Sequence, residues 1–141
     1  MLIRDWMTSS VISAKEDASM LKVSKLMQEH GIKRIPIVDD EMRLIGIVSD
    51  RDIKEASPSK ATTLDVHELS YLLSELKIKD IMTKNPVAVS SMDTIEQVAL
   101  IMLEKKLTGL PVVDWEKKLV GIITEADIFK IFTEISGVRR G

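Results

Sequence analysis

The sequence predicts an α+β fold made of two similar halves. Three observations carry that expectation: an aliphatic composition poor in aromatic residues, a repeat of 75 positions, and the same succession of hydrophobic periods within each copy. Of 141 residues, 45% are apolar and only 4% aromatic, which suits helices packed on sheet through Ile, Val, Leu and Met. A chain of this length buries roughly two-thirds of the surface its unfolded form exposes, so a single core is expected to suffice.

The repeat keeps one register. Met7-Thr8 returns as Met82-Thr83, Pro36 as Pro111 and Gly46 as Gly121, and Ile3/Ile78, Asp5/Asp80, Val23/Val98, Asp39/Asp114 and Asp52/Asp127 obey the same displacement of 75. Chance similarity does not hold a gap-free register over about fifty residues, so the chain is read as a duplication. The expected organisation is a first repeat over 1–56, a connector with its own helix over 57–76, a second repeat over 77–136 and a tail over 137–141.

Each copy runs strand, helix, strand, strand, helix. Short strands are expected at Val11-Ile12 and at Pro86-Val87-Ala88-Val89. Helix starts follow at Asp17/Ser19 and at Asp93-Thr94-Ile95-Glu96, a run like a capping box. Ile95, Val98, Ala99, Met102 and Leu103 recur at helical spacing, as do Met20, Val23, Leu26 and Met27. Two β-rich runs come next, Ile35 to Val38 and Leu44 to Val48, with counterparts at Leu110 to Val113 and Leu119 to Ile123. A closing helix opens at Ser49 or Thr124. Between the copies, Ala56-Ser57-Pro58-Ser59 reads as a break, and Asp65 caps a helix whose stripe is Val66, Leu69, Leu72, Leu73 and Leu76.

Composition narrows the function. Twenty basic residues against twenty-two acidic ones leave a net charge of −2, without the basic excess that binding a nucleic-acid backbone requires. Cysteine is absent, and neither His30 nor His67 belongs to a ligand-spaced cluster, so no metal site is expected. No nucleophile, base and oxyanion donor can be nominated together, so no enzyme is expected. The start lacks the apolar core of a signal peptide and no run approaches the ~20 residues of a membrane span, so a soluble cytoplasmic protein is expected. Met20, Met27 and Met102 are expected to fill core space, and Trp6 and Trp115 to pack, with a place at a pocket's edge as the alternative.

One local pattern can carry binding. Gly46-Ile47-Val48-Ser49-Asp50-Arg51-Asp52 recurs as Gly121-Ile122-Ile123-Thr124-Glu125-Ala126-Asp127. An apolar strand delivers a hydroxyl to a helix start, where unpaired N–H groups and the helix dipole favour a phosphate. An aspartate in the first turn offers two oxygens to ribose hydroxyls. Capping alone accounts for the same residues, because the hydroxyl accepts an N–H bond and the carboxylate opposes the dipole.

Three motifs, each present twice and in order, resemble the CBS (cystathionine-β-synthase-type) family, paired as a Bateman module. They are Asp-x-Met-Thr (Asp5 to Thr8, Asp80 to Thr83), apolar-Pro-apolar-apolar-Asp (Ile35 to Asp39, Leu110 to Asp114) and the Gly-to-Asp run. The connector, with Asp50-Arg51-Asp52 and Glu55-Ala56-Ser57-Pro58-Ser59, is similar to that of acetoin-utilisation-type CBS proteins. Relatives of that kind usually carry an ACT domain, so this is either a minimal relative or a chain from which that tail has been removed.

The resemblance implies two small sheets packed about a pseudo-twofold axis, with clefts that take AMP, ADP or ATP. One half-site is expected to comprise Thr8, Ile12, Arg34, Ile35, Pro36, Ser49, Arg51 and Asp52. The other is expected to comprise Thr83, Asn85, Val87, Gly109, Leu110, Pro111, Thr124 and Asp127. The implied role is a non-catalytic regulatory module, with a ligand-free adaptor or a sensor of S-adenosylmethionine as alternatives. A homodimer that addresses a protein effector is expected, because Ile128, Phe129, Ile131, Phe132 and Ile135 form an apolar arc wider than one internal face uses.

Overall fold

The computed structural model describes residues 1–57 and 65–138. Pro58 and Ser59 of the expected break, and residues 139–141 of the expected tail, lie outside the described residues. The chain divides into two compact units that do not follow the sequence period. An inner unit spans Ile12–Pro86, and a terminal unit joins Met1–Val11 to Val87–Gly141.

The inner unit contains β1 (Ala14–Lys15), α1 (Met20–His30), β2 (Arg34–Val38), β3 (Leu44–Ser49), α2 (Asp50–Ala56), α3 (Val66–Glu75) and β4 (Thr83–Lys84). Its sheet runs β1-β2-β3-β4, with β1 parallel to β2 and the other pairs antiparallel. The terminal unit contains β5 (Val89–Ser90), α4 (Ile95–Lys105), β6 (Gly109–Val113), β7 (Leu119–Thr124) and α5 (Glu125–Ser136). Its sheet runs β5-β6-β7, and Thr8 extends it by one bridge to Ile122. The expected α+β class and the duplicated succession of elements are both present.

Buried side chains among the described residues form two clusters, where the chain length alone allowed one core. Ile35, Ile37, Val48, Val23, Met20, Met27 and Ile53 are joined in the inner unit by Ile78. Leu110, Val112, Ile123, Val98, Met102 and Ile131 are joined in the terminal unit by Ile3. Each contributed isoleucine sits in a 3₁₀ turn, Ile3–Asp5 or Ile78–Asp80, and is wholly buried. The turns dock by matching bonds: Ile3 N–H donates to the Asp93 carbonyl at 3.0 Å, and Ile78 N–H to the Ala18 carbonyl at 2.8 Å. The segment ahead of each copy therefore completes the core of the other copy.

Several local expectations need correction. The first strand of the first copy lies later than its apolar run, at Ala14–Lys15, and that of the second begins only at the last residue of its run, at Val89–Ser90. Pairing is set by where the backbone comes alongside the end of β2 or β6, with Ala14 opposite Ile37 and Val89 opposite Val112. Ile12 instead contributes its side chain to the core. The caps of α1 and α4 are Ser19 and Thr94, and the box partner of Thr94 is Gln97, which donates its backbone N–H and accepts from the cap. Asp93, one position earlier, accepts from the Ser90 N–H. Asp65 caps α3 as expected, but no α3 residue is fully buried, Val66 and Leu76 are exposed, and Leu73 makes the contact with the core. Trp6 packs against the terminal cluster, whereas Trp115 is 89% exposed in the turn between β6 and β7.

The β2–β3 and β6–β7 turns are built alike. Asp39 Oδ1 accepts from the N–H groups of Glu41 and Arg43, and Asp114 Oδ1 from those of Glu116 and Lys118. Met42 and Lys117 take positive φ within these turns. The Arg43 N–H, more than the Glu41 N–H and the Arg43 guanidinium, holds the Asp39 carboxyl below its ordinary range. Its contribution to stability is present above the unfolded carboxylate pKa and is lost as pH falls through the lower folded value.

Gly46 and Gly121 permit the close approach of these docked segments. A Cβ on Gly121 would collide with the Met7 thioether and stand 3.0 Å from the Thr8 carbonyl, and one on Gly46 would meet Met82 and the Thr83 carbonyl at 3.2 Å. The methionine can yield, but the backbone cannot without shifting the strand edge. Gly121→Ala is therefore expected to cost about 1–3 kcal/mol in urea unfolding with an unchanged slope. A change below about 0.5 kcal/mol would show that the approach is loose.

Candidate functional site

In each unit a strand delivers its last residue to a helix start. β3 ends at Ser49, the cap of α2, and β7 ends at Thr124, the cap of α5. Reciprocal bonds close both ends. Asp52 N–H donates to Ser49 Oγ at 3.1 Å while Ser49 N–H donates to Asp52 Oδ2 at 2.8 Å. In α5, Asp127 N–H donates to Thr124 Oγ1 at 3.3 Å, and Thr124 N–H to Asp127 Oδ2 at 2.9 Å. The Thr124 hydroxyl lies a further 3.0 Å from that oxygen. Capping, one of the two roles open to these residues, is thus realised in both units. The box engages Oδ2, so Oδ1 is the oxygen that lies outside it.

Strand register places the other candidates. Arg34 lies opposite Ser49, Pro36 opposite Ile47, and Ile47 opposite Thr83. Directly opposed residues share a sheet face, so Arg34, Pro36, Ile47, Ser49 and Thr83 line one side while Ile35, Ile37 and Val48 line the core side. In the terminal unit Gly109 opposes Thr124, Pro111 opposes Ile122, and Ile122 bridges to Thr8 through two bonds of 2.9 Å. Gly109, Pro111, Ile122, Thr124 and Thr8 therefore repeat the arrangement.

The units group the expected residues across the repeat boundary. Thr83 and Asn85 belong with Ile12, Arg34, Ile35, Pro36, Ser49, Arg51 and Asp52, while Thr8 belongs with Val87, Gly109, Leu110, Pro111, Thr124 and Asp127. Ile35 and Leu110 have side chains sealed in the cores, so what they offer a ligand is backbone. Asn85 takes φ of 49° and donates its N–H to the Ile45 carbonyl at 3.3 Å. Val87 and Thr83 are exposed, and Ile12 is half-buried. The Arg51 guanidinium is held 3.0 Å from Glu55, with both side chains exposed. Ile47 and Ile122 occupy the middle of each row and were not among the expected residues. Their position two residues before the capping hydroxyl, on the same strand face, is the signal that could have found them.

Among the described residues no group of three or more His, Asp or Glu side chains gathers where a metal ion could be held. No described helix is long and apolar enough to cross a membrane.

The family model for the CBS domain matches residues 3–59 and again 78–134. Among curated proteins, the chain is 30% identical over 131 residues to an L-aspartate semialdehyde sulfurtransferase of Methanocaldococcus jannaschii, covering 93% of this chain but 23% of that enzyme. Among solved structures, CBSX2 of Arabidopsis thaliana in complex with AMP is 31% identical with a TM-score of 0.77, over 96% of this chain and 98% of that one. The CBS domain pair of protein MJ0100, in complex with 5'-methylthioadenosine and S-adenosyl-L-methionine, is 28% identical with a TM-score of 0.77, over 96% and 98%. An acetoin utilization protein (AcuB) from Vibrio cholerae is 28% identical with a TM-score of 0.80, over 97% and 93%.

The capping boxes make a stability prediction that is independent of any ligand. Asp127→Ala removes the acceptor for the Thr124 N–H and is expected to cost about 0.5–1.5 kcal/mol, whereas Asp127→Asn keeps a carbonyl oxygen and recovers most of it. Urea unfolding followed by circular dichroism checks this. An unmoved midpoint in Asp127→Ala would mean that the box contributes nothing.

Proposed function

We propose a function from one premise: the chain belongs to the CBS-domain family and carries two copies of its repeat. It acts as a non-catalytic regulatory module that takes up an adenine-bearing ligand, AMP, ADP or ATP, and passes that state to a second subunit or an effector. The observation that carries this reading is the duplicated strand end. Ser49 and Asp52, and again Thr124 and Asp127, bring a hydroxyl, helix-start N–H groups and a carboxylate oxygen outside the capping box to one sheet edge. Such an edge suits phosphate and ribose together. Similarity to a CBS protein in complex with AMP supports the ligand class.

The copies differ in charge. Lys33, Arg34 and Arg51 correspond to Thr108, Gly109 and Ala126. More positive charge favours more phosphates, so the Arg-bearing copy is assigned ADP or ATP. Arg51 is available at small cost, because an exposed ion pair such as that with Glu55 is worth about 0–1 kcal/mol. S-Adenosylmethionine is a second reading, favoured by the similarity to the MJ0100 pair in complex with it. Its sulfonium would gain nothing from those cations. The chain works as a homodimer in the cytoplasm, through an interface to which the last helix contributes its exposed apolar side chains.

Calorimetric titration with AMP, ATP, NAD and S-adenosylmethionine tests the reading. Saturable heat is expected with AMP or ATP. Asp52→Asn and Asp127→Asn, which keep the capping acceptor, are expected to weaken it at least about tenfold, since bonds to a charged acceptor contribute about 1.5–3 kcal/mol. No heat and no thermal shift with all four compounds would contradict nucleotide sensing and leave the adaptor.

A further inference from the structure

Sulfur chemistry in this chain belongs to methionine alone, with eight methionines and no cysteine. Burial sorts the eight into three groups. Met20, Met27 and Met102 are sealed in the cores, and Met1, Met42 and Met92 are exposed and join neither buried cluster. Met7 and Met82 are part-buried, and both secure a docked segment. In each the thioether lies over a strand glycine, Gly121 or Gly46, in the space a Cβ would take. Gly121 alternates with Ile122 and so turns to the core side with Ile123, where Met7 packs against the terminal cluster. The next residue, Thr8, exchanges two backbone bonds of 2.9 Å with Ile122 at the edge of β7.

The two copies hold this segment unequally. After Met82 the chain pairs with β3 at both Thr83 and Lys84, and the Asn85 N–H adds a bond to the Ile45 carbonyl. After Met7, among the described residues, it pairs with β7 at Thr8 alone. Side-chain packing by Met7 therefore carries a larger share of the seating in its own copy.

We propose that Met7 is a site of reversible oxidation by hydroperoxides, and that its sulfoxide releases the Met7–Thr8 segment from the edge of β7. A sulfur lone pair attacks one oxygen of hydrogen peroxide, so that an S–O bond forms, the O–O bond breaks and the sulfur gives up two electrons. The proton on the transferred oxygen passes to the departing hydroxide, which leaves as water. The product is polar and one oxygen larger. It either brings a strong acceptor into the apolar space over Gly121 or swings the side chain into solvent and empties that space, and both undo the contact. Release withdraws Thr8 from the face it shares with Ile122 and Thr124. That last consequence deepens the nucleotide reading above and rests on it; the oxidation and the release do not.

The test adds hydrogen peroxide to the full chain, locates sulfoxides by peptide mass spectrometry and follows amide exchange by NMR. Met7 is expected to oxidise after Met1, Met42 and Met92 and well before Met20, Met27 and Met102. Its sulfoxide is expected to lower protection of the Thr8 and Ile122 amides at least about tenfold while β2 keeps its own, and methionine sulfoxide reductases with a dithiol are expected to restore it. Met7→Leu, which lacks the sulfur, is expected to hold its starting protection under peroxide. Met42→Lys with Met92→Leu, changed only at exposed positions, is expected to lose protection as the parent does. A Met7 that oxidises no faster than Met102, protection that survives its oxidation, or an equal loss in Met7→Leu overturns the proposal. Calorimetry with AMP on the oxidised sample separates the two readings: protection lost without loss of AMP heat overturns the consequence for the ligand and leaves the oxidation-driven release standing.

Discussion

Ile3 and Ile78 are the contacts on which the architecture rests. Each is fully buried in a cluster whose other members lie in the opposite copy of the repeat, and each is fastened by a set of backbone bonds that the other reproduces. The Arg4 N–H meets the Ser91 carbonyl, and the Lys79 N–H meets that of Glu16. The Ile95 N–H meets the Met1 carbonyl, and the Met20 N–H meets that of Leu76. A core the size of either cluster is marginal alone. Losing one wholly buried isoleucine would cost about 2–5 kcal/mol, a large part of a small domain's stability.

The same exchange sets the candidate sites. Once Ile3 is seated, the chain continues through Met7 to Thr8, which lies against Ile122 on the open edge of β7. Thr83 reaches β3 in the same way after Ile78. The approach is close enough that position 46 or 121 must lack a side chain. Threonine, the central isoleucine, proline and the capping hydroxyl then share the sheet face away from the core. The aspartate follows one helical turn later, tied by one oxygen to its cap. Core packing and site geometry therefore depend on one insertion.

Much of this was legible in the residues. The 75-residue register, the helix starts at Ser49 and Thr124, the amphipathic spacing of α1 and α4 and the two central strands are all encoded locally, in caps and hydrophobic periods. What was not legible is long-range. Nothing local to Val11-Ile12 says that β pairing waits until Ala14, because the partner strand decides it. The grouping of Thr8 with Thr124, and of Thr83 with Ser49, depends on the insertion of a 3₁₀ turn and leaves no periodic signature. Ile35 and Leu110 were placed among the binding residues by motif, and strand alternation turns both into the cores. Trp115 illustrates the reverse case, a large apolar residue that turn geometry carries into solvent.

The exchange of segments between copies can be read directly by native-state hydrogen exchange on Ile3→Ala. The account predicts that amides of α4, β6 and β7 lose protection, some ninety to one hundred and twenty positions along the chain, while those of β2 and β3 keep theirs. Loss of protection centred on β2 and β3, the strands nearer in sequence, would contradict it.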